Sequence, residues 1–201
     1  MNRWVWPAGA LLALLVMFAS AGADPARVVI ETELGDIEIE VYEDKAPLSA
    51  GSFLAYVDAG YYENAAFYRT VTEDNDKGSP GIEVIQGGIL DRTRTLPPVA
   101  HESTHESGIL HEDGVVSLAR AEPGTASGAA FFICVGRQPG LDFGAERNPD
   151  KLGFAAFGRV VAGMDVVTAI HRSDANGQSE SDYTRGQILT RFVEIRRAYR
   201  N

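Results

Sequence analysis

The chain holds a single cysteine, Cys134, in 201 residues. That excludes an internal disulfide, so an oxidising compartment can be tolerated but not exploited. Cys134 lies inside the apolar run Phe131-Phe132-Ile133-Cys134-Val135, the setting of an inert core residue rather than a reactive thiol. Positive charge is also scarce. Lys and Arg number 18 against 28 Asp and Glu, a net −10 at pH 7. No dense Lys/Arg cluster interrupts this balance, which argues against nucleic acid and other anionic partners. Repeats and low-complexity tracts are absent. The apolar run Ala10 to Ala19 is too short to span a bilayer comfortably, and Pro7 and Gly9 interrupt its start.

That run follows Arg3 and precedes Ala21-Gly22-Ala23, a small-residue cleavage pattern just before Asp24. Residues 1–23 therefore read as a signal peptide, with an uncleaved anchor as the alternative. No cysteine stands near the cleavage point to carry a lipid. The expectation is a secreted protein, periplasmic or extracellular, off the membrane once the signal is removed. Residues 24–201 are then one domain of about 178 residues, enough for a sizeable core, and expected as a monomer.

Taken in order, Val28 to Thr32 and Ile37 to Val41 flank a Gly35-Asp36 turn and read as a hairpin. Pro47 suits the first turn of a helix carrying Phe53, Leu54 and Val57, and Gly60 suits its end. Ala66 to Val71 and Ile82 to Gly88 read as strands around a turn-rich insert, Thr72 to Gly81. Further strands are expected at Val115 to Ala119, Phe131 to Val135, Phe154 to Val161 and Ile188 to Ile195, with a short helix at Met164 to Ile170. Many short strands around two helices, without a βαβ rhythm, point to a mainly β fold built as a closed antiparallel barrel.

Strand alternation puts Phe67 with Arg69 on one face, and Val84 with Gln86 on another. A cation beside an aromatic and an amide beside an aliphatic make sense if those faces form a site. Phe67-Tyr68-Arg69 and Gln86-Gly87-Gly88 resemble the paired signature strands of the cyclophilin family of peptidyl-prolyl isomerases, with Tyr68 at the usual His. Other pieces follow in family order: Ala46-Pro47, Ser117-Leu118-Ala119-Arg120, Phe131-Phe132-Ile133, Leu141-Asp142, Phe157-Gly158-Arg159-Val160 and Gly163-Met164-Asp165-Val166-Val167. The resemblance runs from about Val28 to Ile195. It implies an eight-stranded barrel with a helix at each end, no cofactor, and proline-containing unfolded or extended polypeptides as partners.

It also implies roles. Arg69 stabilises the twisted prolyl amide and Gln86 holds substrate backbone or orients Arg69. Phe67, Val84, Ala119, Arg120, Phe132, Leu141 and Phe154 bind substrate. The departures fall in the same pocket. Glu83 and Val84 replace Phe and Met, Arg120 replaces Asn, Gly140 replaces Trp, and Phe154 stands for a His or Tyr. The expected function is catalysis of X-Pro isomerisation in folding secreted polypeptides. The alternative is a cyclophilin module that binds peptides with little turnover.

One motif points elsewhere. His101-Glu102-Ser103-Thr104-His105-Glu106-Ser107-Gly108-Ile109-Leu110-His111 matches the zinc pattern H-E-x-x-H-x-x-G-x-x-H of metalloproteases. That chemistry needs a helix. Pro97 and Pro98 sit just upstream, Ser103, Thr104 and Ser107 favour turns, and no apolar periodicity precedes His101. The expectation is a solvated loop with no metal.

Overall fold

The computed structural model describes Met1, residues 24–120 and residues 122–201; the expected signal segment, Met1 apart, lies outside the described residues. β1 (Ala26–Thr32) and β2 (Gly35–Val41) form the expected hairpin, with Thr32 opposite Gly35. The turn is therefore Glu33-Leu34, and Gly35-Asp36 already belong to β2. Ile37, Ile39 and Val41 point into the core. Glu38 and Glu40 point outward, where Arg27 meets them at 2.9 and 2.7 Å.

Helix α1 (Pro47–Asp58) starts on Pro47, whose missing N–H costs nothing at that position. Ala46 precedes it and has no side-chain oxygen to cap the next amides. The cap comes from Glu102: its carboxylate accepts from the backbone N–H of Leu48 (3.1 Å) and Ser49 (2.6 Å) and from Ser49 Oγ (2.7 Å). The helix ends in a Schellman motif, with Gly60 N–H donating to Val57 O and Tyr61 N–H to Tyr56 O. Gly60 sits at φ +65°, where a Cβ would be strained. Inward, Phe53 packs its ring 5.5 Å from Phe131 and 4.8 Å from Phe157.

The remaining elements are β3 (Ala65–Val71), β4 (Val84–Gly88), β5 (Val99–Ala100), α2 (Thr104–Ser107), β6 (Val115–Leu118), β7 (Thr125–Ala126), β8 (Ala130–Cys134), a 3-10 turn (Pro139–Leu141), β9 (Ala155–Ala162), α3 (Met164–His171) and β10 (Ile188–Arg200). Eight strands close into an antiparallel barrel in the order β1-β10-β3-β4-β8-β6-β9-β2, while β5 and β7 pair separately. Closure depends on β10. Its first half pairs with β3, and its second half, beyond the expected end at Ile195, pairs with β1 from Thr32 to Val28. A closed barrel has no free edge to recruit other chains. The expected capping helices are α1, packed on β9 and β10, and α3, packed on β2, β3 and β4. α2 is a third helix of a single turn.

The apolar residues form two clusters. One fills the barrel and includes Phe53, Phe67, Ile85, Phe131, Ile133 and Phe157. The other lies outside the wall: Val71, Ile82, Val84, Phe132, Cys134 and Leu141, with Phe154 against it. β8 serves both, sending Phe131 and Ile133 inward and Phe132 and Cys134 outward, which is why it reads as one unbroken apolar run. Burial pushes the Cys134 thiol well above its ordinary pKa, consistent with an inert residue.

β3 corrects one expectation. Phe67 pairs with Gly87 but Arg69 pairs with Gln86, so Tyr68 is an extra residue, a β-bulge. The bulge shifts the alternation by one. Phe67 turns into the barrel, fully buried and edge-on to Phe131 at 5.7 Å, and does not line a substrate surface. Gly87 lets it lie flat against β4, since a Cβ there would stand 2.8 Å from its ring.

The histidine-rich segment is also corrected: it is packed, not solvated. Only Thr104–Ser107 is helical, opened by a capping box in which Glu106 accepts from Ser103. His111 is buried, and Glu102 is committed to α1. Among the described residues no three His, Cys, Asp or Glu side chains converge as metal ligands. Glu102→Ala should therefore lower stability by about 1 kcal/mol through the lost cap, read by urea denaturation, with turnover unchanged. A protein as stable as the parent would contradict this account of the segment.

Candidate active site

The outer cluster floors a cleft of about 460 Å³ on the face of β3, β4 and β8, within the ordinary size range of ligand pockets. Val84, Phe132 and Leu141 make the floor. Phe154 stands edge-on to Phe132, centroids 5.3 Å apart, and the Arg120 guanidinium lies 5.3 Å over the Phe154 ring. Asp150 holds Arg120 in a two-pronged pair at 2.8 and 3.0 Å. Ala119 completes that wall. Of the residues expected to bind substrate, Val84, Ala119, Arg120, Phe132, Leu141 and Phe154 line the cleft, and Phe67 does not.

Opposite stands Arg69. Its Nη1 donates to Gln86 Oε1 at 2.8 Å, and its Nε and Nη2 both donate to Gln187 Oε1, at 3.0 and 2.6 Å. Gln86 in turn donates to Tyr68 Oη at 3.2 Å. Burial pulls the Arg69 pKa below the ordinary arginine value, partly offset by Tyr183 and Tyr68 nearby. A guanidinium nevertheless stays charged throughout the physiological range.

Beneath Phe132 the His111 ring is stacked at 5.9 Å. Its Nδ1 bonds Asp142 Oδ1 at 2.8 Å and its Nε2 bonds Ser117 Oγ at 3.1 Å. The order Ser-His-Asp matches hydrolase triads, yet Ser117 is fully buried on β6, where no acyl group can reach it. The network is a support for the floor.

The insert Thr72 to Gly81 forms the rim. Arg147 donates to both oxygens of Asp76 at 2.7 and 2.8 Å, and to Pro80 O at 2.6 Å. Asp76 also accepts from the N–H groups of Gly78 and Ile82. Pro80 fills the space where the family resemblance places a Trp. A Cβ at Gly140 would meet Pro80 Cγ at 2.7 Å. Glu83 does not face the cleft; its carboxylate is 4.0 Å from His171 Nε2 and half exposed.

Sequence reasoning missed Gln187, Arg147, Asp76, Tyr183 and Asn148. All but Asp76 come from distant loops, and no local pattern marks them. Asn148 lines the cleft with its Nδ2 buried and without a partner among the described residues.

Comparison with known proteins agrees with this geometry. The family model described as "Cyclophilin type peptidyl-prolyl cis-trans isomerase/CLD" matches residues 27–193. Peptidyl-prolyl cis-trans isomerase A of Dickeya dadantii is 32% identical over 155 residues, covering 76% of this chain and 74% of the relative. Peptidyl-prolyl cis-trans isomerase B of Escherichia coli is 32% identical over 173 residues, covering 84% and 98%. A crystal structure of a Cryptosporidium parvum cyclophilin type peptidyl-prolyl cis-trans isomerase, determined in the presence of the dipeptide Ala-Pro, superposes with a TM-score of 0.63. It shares 18% identity and covers 87% of this chain and 98% of its own. The chain belongs to the cyclophilin-type peptidyl-prolyl cis-trans isomerase family, and that isomerisation is its enzyme activity. No described helix is long and apolar enough to cross a membrane.

The rim has a testable dependence on Asp76. Burial raises its carboxyl pKa, but Arg147 and the amides of Gly78 and Ile82 more than offset this, leaving it below the ordinary 3.8. A depressed carboxyl contributes stability above its unfolded pKa and loses it as pH falls through the folded value. The rim should thus survive to below about pH 4. Asp76→Ala strands the Arg147 charge and should weaken the rim by about 3 kcal/mol. Hydrogen exchange should show lost protection in residues 72–82, with the barrel strands unchanged; full protection there would contradict the pairing.

Proposed function

We propose that this isomerase acts on X-Pro bonds of extended, proline-containing segments in polypeptides that fold outside the cytoplasm, following removal of residues 1–23. The localisation rests on the leader pattern ending Ala21-Gly22-Ala23, and intact mass of exported protein should place its first residue at Asp24. Material beginning at Met1 would contradict it.

The observation that carries the mechanism is the Arg69 guanidinium facing the dry floor of Phe132 and Leu141 across one cleft. Rotation about a peptide bond meets a barrier of about 18–20 kcal/mol because the nitrogen lone pair is delocalised into the carbonyl. Before proline the two isomers are close in energy but exchange slowly. No nucleophile or proton transfer is needed. The catalyst must favour the twisted state, in which the lone pair returns to nitrogen. The proline ring seats on Phe132, Leu141 and Val84, beside Phe154. Arg69 donates toward the prolyl nitrogen. Gln86 steadies Arg69 and meets the substrate backbone.

Arg69→Ala should cost about 2–4 kcal/mol of transition-state stabilisation, roughly a 30- to 1,000-fold loss of turnover. Peptide affinity should fall far less, since the apolar floor remains. Melting temperature should drop by only a few degrees, because two amide acceptors lose their donor. Unchanged turnover in the folded variant would sink this role. Tight peptide binding without turnover in the parent protein would instead favour a binding module.

A further inference from the structure

Three arginines line the cleft, and their partners differ in kind. Arg120 is paired with the Asp150 carboxylate and Arg147 with that of Asp76. Arg69 has no carboxylate partner among the described residues; it is held by the carboxamides of Gln86 and Gln187. Gln187 takes the larger share. Its single oxygen receives both Nε and Nη2, its side chain is wholly buried, and its own NH₂ donates to Asn75 O at 2.8 Å. Asn75 belongs to the insert; its Oδ1 accepts from Thr72 N–H and its Nδ2 donates to Thr70 O, one residue from Arg69. The charged and titratable neighbours of Arg69 are Arg147, Tyr183 and Tyr68, and no carboxylate is among them.

A carboxylate at 187 would grip a guanidinium more strongly than an amide does, because a charge-assisted bond is roughly twice as strong. It would also cancel the field that the reaction uses. We propose that Gln187 is a positioning residue whose neutral carboxamide fixes the Arg69 guanidinium without quenching its charge, and that its bond to Asn75 ties this grip to the 72–81 insert. The amide supplies geometry and leaves the full positive charge to the prolyl nitrogen. With Nε and one Nη2 hydrogen on Gln187 and one Nη1 hydrogen on Gln86, the second hydrogens of Nη1 and Nη2 are the part left to address substrate. This inference rests on the catalytic role given to Arg69 above.

The test is Gln187→Glu in the protein from residue 24 onward, with isomerisation of an Ala-Pro peptide followed by exchange NMR. At pH 7.5 kcat should fall roughly 10- to 100-fold, with KM within about twofold, since the apolar floor that binds peptide is untouched. The introduced carboxylate stays ionised across the working range, since an adjacent guanidinium lowers a carboxyl pKa. Gln187→Met removes the acceptor without adding charge. It should lose a few-fold in kcat, less than Gln187→Glu loses, although Glu keeps the acceptor that Met lacks; a merely structural role would reverse that order. Gln187→Met carries the decision if Gln187→Glu fails to fold. Parent-like kcat in either folded variant would overturn the proposal, as would a Gln187→Met deficit larger than that of Gln187→Glu. Arg69→Ala, measured alongside, separates the two readings. If it is slow while Gln187→Glu is not, only the clamp falls; if it turns over like the parent, the Arg69 role falls and the clamp with it.

Discussion

One extra residue in β3 separates the inside of this barrel from its working face. Without the bulge at Tyr68, Phe67 and Arg69 would point the same way, and either a guanidinium would enter an aromatic core or a phenyl ring would be turned out to solvent. Each alternative costs several kcal/mol in uncompensated burial or lost packing. With the bulge, Phe67 joins Phe53, Phe131 and Phe157 in the interior, while Arg69 faces the outer cluster. The neighbouring strands need no such device. On β4 and β8 plain alternation sends Ile85, Phe131 and Ile133 inward and Val84, Gln86 and Phe132 outward.

The cleft thus borrows its rigidity from the barrel wall, and its remaining parts are built from connections. The floor is backed by His111, whose two ring nitrogens are both satisfied, so Phe132 rests on a fixed plane. The rim is a buried ion pair between two loops, Asp76 and Arg147. Such a pair adds little net stability relative to an apolar contact, but breaking it is costly, which suits a part whose task is to hold a shape. Loops carrying function on a rigid scaffold is the ordinary division of labour.

Much of the barrel was legible because local pattern and burial agree. Alternation on Ile37-Glu38-Ile39-Glu40-Val41 marks a half-buried strand, and the Pro47 and Gly60 boundaries of α1 follow from backbone sterics. Arg69 and Gln86 were legible through the signature strands, and Phe132 and Leu141 through the other pieces that follow in family order. Phe67 was misread because a bulge leaves no trace in composition, and strict alternation is the only rule a sequence offers. Gln187, Tyr183, Asn148 and Arg147 were invisible because their contacts to the cleft cross about a hundred residues or bridge two loops, and no local periodicity encodes that. The zinc-like motif was legible only in part. The poor helical setting was apparent, whereas the use of Glu102 to cap a helix that begins over fifty residues earlier was not.

The central claim is that this cleft lowers the barrier to X-Pro rotation by electrostatics alone, with no covalent step and no metal. The most direct measurement is two-dimensional exchange NMR of an Ala-Pro peptide with a catalytic amount of the protein from residue 24 onward, in chelator-treated buffer. Uncatalysed exchange takes about 10–100 s at 25 °C. The account predicts exchange cross-peaks within a mixing time of a few hundred milliseconds, scaling with protein concentration. Peptide shifts that report binding, with exchange still at the uncatalysed rate, would contradict it.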